Sequence, residues 1–147
     1  MFAKSLVIFV IVGMVSGFLF GIYLLEVKNT LEVVYTEGVS ISVLPEKHDY
    51  KKGDPIRITV INSGTVPLYF PNNSFGFKIT GLSGMIIYSP PLPTVSSLDP
   101  KEETEFVWNQ TKNDGGQALE GLYKIHAIGL DNNKKKIEKS VTVNIWK

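Results

Sequence analysis

The sequence predicts an all-β domain of seven to nine short strands carried behind one N-terminal transmembrane α-helix. Two observations predict it. Residues 5–25 contain no charged side chain, and beyond them apolar residues recur at every second position in short runs separated by Gly, Pro, Asn and Asp. The chain accordingly divides into a cytoplasmic N-terminus (1–4), a transmembrane helix (5–25), a juxtamembrane connector (26–38) and a β domain (39–147).

As a helix, residues 5–25 extend about 31 Å at about 1.5 Å per residue, which matches a bilayer hydrocarbon core of about 30 Å. A cleaved secretory signal would have an apolar stretch of roughly 7 to 15 residues and a small-x-small exit. This stretch is longer and ends in Ile22-Tyr23-Leu24-Leu25-Glu26, so the sequence favours a retained anchor. Lys4 precedes the span, while Glu26 and Lys28 cancel after it. The positive-inside bias then puts the N-terminus in the cytoplasm and the domain outside the cell membrane.

Gly13, Gly17 and Gly21 recur every four residues, with Ser16 beside them, and so form a groove along one side of the helix. Helices associate in lipid through close van der Waals contact, which such a groove permits. The expected partners are therefore the lipid bilayer and transmembrane subunits bearing a complementary helix.

Composition narrows the function. Of fifteen Lys and Arg residues only Lys4 precedes the span, and the fourteen Asp and Glu all follow it. The outer portion is therefore balanced in charge and lacks the basic footprint of a nucleic-acid binder. The absence of cysteine excludes disulfides, thiol catalysis, Cys-ligated iron–sulfur and zinc sites and thiolate copper centres. Stability must come from a hydrophobic core, and about 110 residues suffice for one.

The alternating runs are Val39, Ile41, Val43; Ile56, Ile58, Val60; Leu68, Phe70; Phe75, Phe77, Ile79; Met85 to Tyr88; Phe106, Trp108; Tyr123, Ile125, Ala127; and Val141, Val143, Ile145. Leu31, Val33 and Val34 in the connector fit either a helix extension or a strand start. Turn chemistry separates the runs at Lys52-Gly53-Asp54-Pro55, Asn62-Ser63-Gly64, Pro71-Asn72-Asn73, Asn113-Asp114-Gly115-Gly116 and Asp131-Asn132-Asn133, and between Gly81 and Gly84. Seven to nine strands at this spacing predict an immunoglobulin-like antiparallel β-sandwich.

The succession Tyr50-Lys51-Lys52-Gly53-Asp54-Pro55, Ile56-x-Ile58-x-Val60 with Asn62-Ser63-Gly64, Leu98-x-Pro100 leading to Phe106-x-Trp108-x-Gln110, and Gly121-x-Tyr123-x-Ile125-x-Ala127 resembles the BsuPI family. These are small β-sandwich domains named after a bacillary intracellular proteinase inhibitor. The resemblance implies the sandwich fold over most of 39–145 and, more weakly, proteinase inhibition. The N-terminal anchor departs from a soluble intracellular inhibitor, and no reactive loop is marked by spacing.

Individual residues have structural readings. Tyr123 suits a tyrosine corner, with its ring in the core and its hydroxyl on loop backbone. Trp108, in phase with Phe106, reads as a core plug. Trp146, out of phase with Val143 and Ile145, points outward as an interface anchor or headgroup contact. His48 and His126 lack ligand spacing: His126 falls on the outer face of its strand beside Lys124, and His48 lies in a polar turn. A copper site combining both with Met85 is disfavoured, and no serine has a nucleophile-elbow context. No catalytic residue, cofactor, metal ligand or small-molecule substrate is therefore expected.

Lys134, Lys135 and Lys136 decorate a hairpin tip. Pro90, Pro91 and Pro93 mark an irregular loop or sheet edge. Asn72 and Asn109 head Asn-x-Ser/Thr acceptor triplets for glycosylation. Among function classes, a non-catalytic accessory or structural subunit of a membrane complex ranks first. A freestanding surface-binding module, proteinase-inhibitor-like or appendage-stator-like, ranks second, and an enzyme or metal carrier last.

Overall fold

The computed structural model describes residues 2–29, 32–70, 76–90 and 97–147. The chain forms two compact units, 1–32 and 33–147.

The first unit is helix α1, Phe2–Asn29. Its run Leu6–Leu24 is long and apolar enough to cross a membrane, and none of it is buried. Polar backbone groups are satisfied within a helix, which is why an uncharged segment of this length adopts one in lipid. The Ser16 hydroxyl donates to the Gly13 carbonyl at 3.1 Å, so the one polar side chain on the glycine stripe is also satisfied internally.

The second unit contains strands β1 (Ser42–Pro45), β2 (Asp49–Lys51), β3 (Ile56–Ile61), β4 (Leu68–Tyr69), β5 (Lys78–Gly81), β6 (Ile86–Tyr88), β7 (Ser97–Leu98), β8 (Glu103–Trp108), β9 (Gly121–Leu130) and β10 (Lys136–Trp146). One sheet has the order β1-β3-β8. The other has the order β2-β10-β9-β4-β7, with β5 pairing both β9 and β6. Pairings are antiparallel apart from β2 with β10, which is parallel. The exception follows from the chain path: β1 and β2 are one extended stretch broken at residues 46–48, and the break moves it from β3 in one sheet to β10 in the other.

The described residues hold ten strands, more than the seven to nine expected, because that break yields two and because β4 and β7 are two-residue pieces. The connector begins as a helix extension, since α1 runs on to Asn29, and Val33 and Val34 belong to neither helix nor strand. Helix α1 stops at Asn29, while residues 32–41 are irregular and bond side by side with the Asn62-Ser63-Gly64 turn: Thr36 N–H donates to Ser63 O at 2.9 Å, and Thr65 N–H to Gly38 O at 2.8 Å. The Cβ position that Gly64 lacks is occupied by the Gly38 carbonyl oxygen and, at 2.7 Å, by the Ser40 nitrogen. Only glycine permits that approach. Phe75, the turn at residues 71–73, Leu31, Pro91 and Pro93 lie outside the described residues.

Both sheets contribute to one core. Ile56, Ile58 and Val60 of β3 are buried on alternate positions, as are Tyr123, Ile125 and Ala127 of β9. Aromatic rings join the layers: Trp108 of β8 meets Tyr123 of β9 edge-on at 5.5 Å, and Phe106 of β8 stacks on Phe77 at 4.7 Å. Trp108 is fully enclosed, and its indole N–H donates to Thr111 O at 2.8 Å, so the plug carries no polar penalty. No buried side-chain nitrogen or oxygen among the described residues lacks a hydrogen-bond partner.

Candidate functional site

Three regions of the described residues carry functional potential: the helix stripe, the outer face of the larger sheet, and the end of that sheet where β9 begins and β10 ends. Gly13, Gly17 and Gly21 have open space where a Cβ would stand, so the groove is present and unfilled within the chain.

On the outer sheet face the register sets Lys78 opposite His126 and Ser140 on its other side, and puts Thr80 and Glu138 on the diagonals. The imidazole is gripped from both flanks. Its Nε2 lies 3.0 Å from the Thr80 hydroxyl and its Nδ1 lies 3.0 Å from Glu138 Oε1. Lys136 Nζ reaches Glu138 Oε2 at 2.9 Å, and Lys78 Nζ reaches Oε1 at 3.8 Å. The hydrogen bond from Lys136, the nearby Lys78 charge and the His126 contact hold the Glu138 carboxyl below its ordinary value against a partial burial that opposes them. An ionised carboxylate only accepts, so Nδ1 donates to Glu138 Oε1.

The order hydroxyl, imidazole, carboxylate has the connectivity of a hydrolase triad. Thr80, however, retains 4% of its exposure and sits in mid-strand, opposite Lys124 and Ile86. The arrangement locks the ring onto the sheet. His126 does occupy the outer face beside Lys124, yet it is knitted into a network instead of standing free. Neither Thr80 nor Glu138 is visible as its partner from sequence, because Glu138 arrives through the register across the Asp131-Asn132-Asn133 turn and Thr80 through the pairing of β5 with β9. His48 is exposed, and its carbonyl accepts from Asn144 N–H at 2.8 Å. No group of three His, Cys, Asp or Glu able to hold a metal occurs among the described residues.

At the far end of the sheet Trp146 is half exposed, and Leu122 on the neighbouring strand β9, Leu82 and Met85 in the β5–β6 turn, and Leu119 before β9 are exposed as well. Trp146 points outward as its phase predicts. A surface hollow of about 550 Å³ near the opposite end is lined by Tyr69, Leu130, Asp131, Asn132 and Lys134. Asn109 is exposed directly after β8; Asn72 lies outside the described residues.

Two internal clamps shape these surfaces. Gln110 is fully buried with a left-handed φ of 57°. Its Oε1 accepts from Gly53 N–H at 2.8 Å, while Nε2 donates to Lys51 O at 2.9 Å and Asp54 O at 2.8 Å. Asn62, also fully buried, donates to Val66 O and Leu98 O and accepts from Gly64 N–H. The Tyr123 hydroxyl donates to Leu119 O at 2.6 Å, and burial pushes its pKa up. No protein-family model and no curated protein matches the chain.

Proposed function

We propose that this is a single-pass cell-membrane protein whose extracytoplasmic immunoglobulin-like β-sandwich, of the BsuPI type, makes protein–protein contacts as a non-catalytic accessory or structural subunit of a larger membrane complex. One observation carries the reading: a helix whose run Leu6–Leu24 is uncharged and bears an unfilled glycine groove belongs to the same chain as a β domain whose buried polar side chains, among the described residues, are all hydrogen-bonded. The helix has the surface of a component that packs against other helices in lipid. The domain has the surface of a binding module rather than a reaction vessel.

The immunoglobulin-like assignment is supported by the tyrosine corner at Tyr123 and by the two-sheet core plugged by Trp108. It is also supported by the stretch that passes from β3 to β10. Lys4 before the span supports a cytoplasmic N-terminus and an outside domain. The proposed partners are the bilayer and transmembrane subunits, with no nucleic acid, cofactor or small-molecule substrate. Exposed Asn109 is then placed for glycosylation.

Gly17→Leu tests the subunit reading, because a bulky side chain at closest approach forces helix backbones apart. Val15→Leu, nearly opposite on the helix, is the control. Both variants should insert, and only Gly17→Leu should lose co-purification with a larger assembly. Equal recovery of the two rejects the subunit role and leaves the freestanding surface module.

A further inference from the structure

We propose that the open edge of β10 is a docking site for an extended, acidic segment of a partner protein, which adds to the larger sheet as a further strand. The proposal deepens the reading of the domain as a protein-contact module, on which it rests, by assigning the contact to one edge and one ligand chemistry.

Strand β10 pairs with β9 over all but its last residue, from Lys136 opposite Leu130 to Ile145 opposite Gly121. On its other side β2 pairs only Asn144, Ile145 and Trp146. Among the described residues, positions 136–143 therefore have a ladder on one side alone. Strand β1 comes near β10, but its ladder is with β3 in the other sheet. The direction of the free groups is fixed by one bond. Asn144 N–H donates to His48 O, on the side away from β9. Backbone groups alternate sides along a strand, so Glu138, Ser140 and Thr142 also aim N–H and C=O toward the open side. All three residues are exposed. Ten successive paired positions with no shift in register leave this edge regular, the form that an added strand requires.

Charge selects the occupant. Lys139 stands in the phase of Ile137, Val141 and Val143, yet is exposed, a charged residue where an apolar one would complete the face. On the opposite face Lys78 and Lys136 converge on the single carboxylate of Glu138, and Lys124 lies beside His126. Both faces bordering the edge are net basic. Lysine at such positions repels indiscriminate pairing, including pairing with a second copy that brings the same lysines. A strand with carboxylates in phase with Lys139 and Lys136 converts that repulsion into attraction.

The test uses the full chain in an uncharged detergent and two labelled peptides of about nine residues, a length that spans an ordinary strand. One alternates Glu with Val and Thr; the other has Lys in place of Glu. Fluorescence anisotropy should show salt-sensitive binding of the Glu peptide only, with slowed amide exchange at Glu138, Ser140 and Thr142. Ser140→Pro removes one N–H that faces the open side and leaves the β9 ladder complete, a placement proline tolerates. It should keep the melting temperature and weaken the Glu peptide by roughly tenfold or more. Lys139→Glu should shift preference toward the Lys peptide.

Failure of the Glu peptide to bind, equal binding of both peptides, or binding undiminished in folded Ser140→Pro overturns the proposal. A concentration-dependent dimer abolished by Ser140→Pro, with no peptide bound, overturns it in favour of a second copy. None of these outcomes touches helix α1, so the proposal and the subunit reading fail separately.

Discussion

Gly53 donates its amide proton to Gln110 Oε1 at 2.8 Å across fifty-seven residues of sequence, tying the turn before β3 to the loop after β8. The same carboxamide spends both of its N–H groups on Lys51 O and Asp54 O. Gln110→Ala leaves the Gly53 donor and the Asp54 acceptor without a partner inside the protein, while Lys51 O keeps the Asp54 N–H. The expected loss is about 1–3 kcal/mol, since each of the three bonds nets about 0.5–1.5 kcal/mol and water reaches the exposed residues 51–54. Urea unfolding checks it. Gln110→Glu keeps an acceptor for Gly53 but sets a carboxylate against two carbonyls, so its deficit should shrink as pH falls and the carboxyl is protonated.

Tyr123→Phe removes the hydroxyl bonded to Leu119 O while leaving the ring against Trp108. A loss of about 1–1.5 kcal/mol is expected, the ordinary net value of one hydrogen bond. A loss near that of a core deletion, about 3–5 kcal/mol, would mean that ring packing had moved as well.

The regular parts of the fold were legible because burial follows alternation. Ile56, Ile58 and Val60 and then Tyr123, Ile125 and Ala127 point inward, as period two requires. The two- and three-residue strands β2, β4 and β7 carry too few positions for a period to register. Lys139 sits in an apolar phase at an edge, a placement that only the sheet order explains. His126 was read as a surface residue because its partners Thr80 and Glu138 arrive through strand register. Trp-x-Gln drew notice as a pattern, but the clamp on residues 51–54 needs the left-handed backbone at Gln110, which sequence does not announce.

Glu138 gives a pH prediction. Its folded value is lowered, first by the hydrogen bond from Lys136 and then by nearby charges. Its stabilising contribution is therefore present above the ordinary glutamate range and is lost as pH falls through the folded value. Glu138→Gln should melt below the parent protein at neutral pH, and the gap should close in acid. The carboxylate is partly exposed, so the gap should be small and should narrow in salt. A pH-independent gap would assign the network no electrostatic role.

Gly64→Ala places a methyl where the Gly38 carbonyl and the Ser40 amide now lie. The turn or the 33–40 stretch must move, costing about 1–3 kcal/mol. Faster amide exchange confined to Thr36 and Thr65, whose bonds join the two segments, is the expected signature. Uniform acceleration across β9 and β10 would show instead that the clash spreads through the core.

The absence of native cysteine makes topology directly measurable. Lys147→Cys should react with a membrane-impermeant maleimide on intact cells if the domain is outside. Reaction only after the membrane is opened reverses the orientation.

The parallel seam between β2 and β10 also sets an order of folding. Val143 and Ile145 enter the core from β10, whose Asn144, Ile145 and Trp146 lie against Asp49, Tyr50 and Lys51 from far earlier in the chain. Closing so long a loop is slow. The hairpin of β9 and β10, joined across the short Asp131-Asn132-Asn133 turn, should therefore form first and offer its edge to β2 as a finished template.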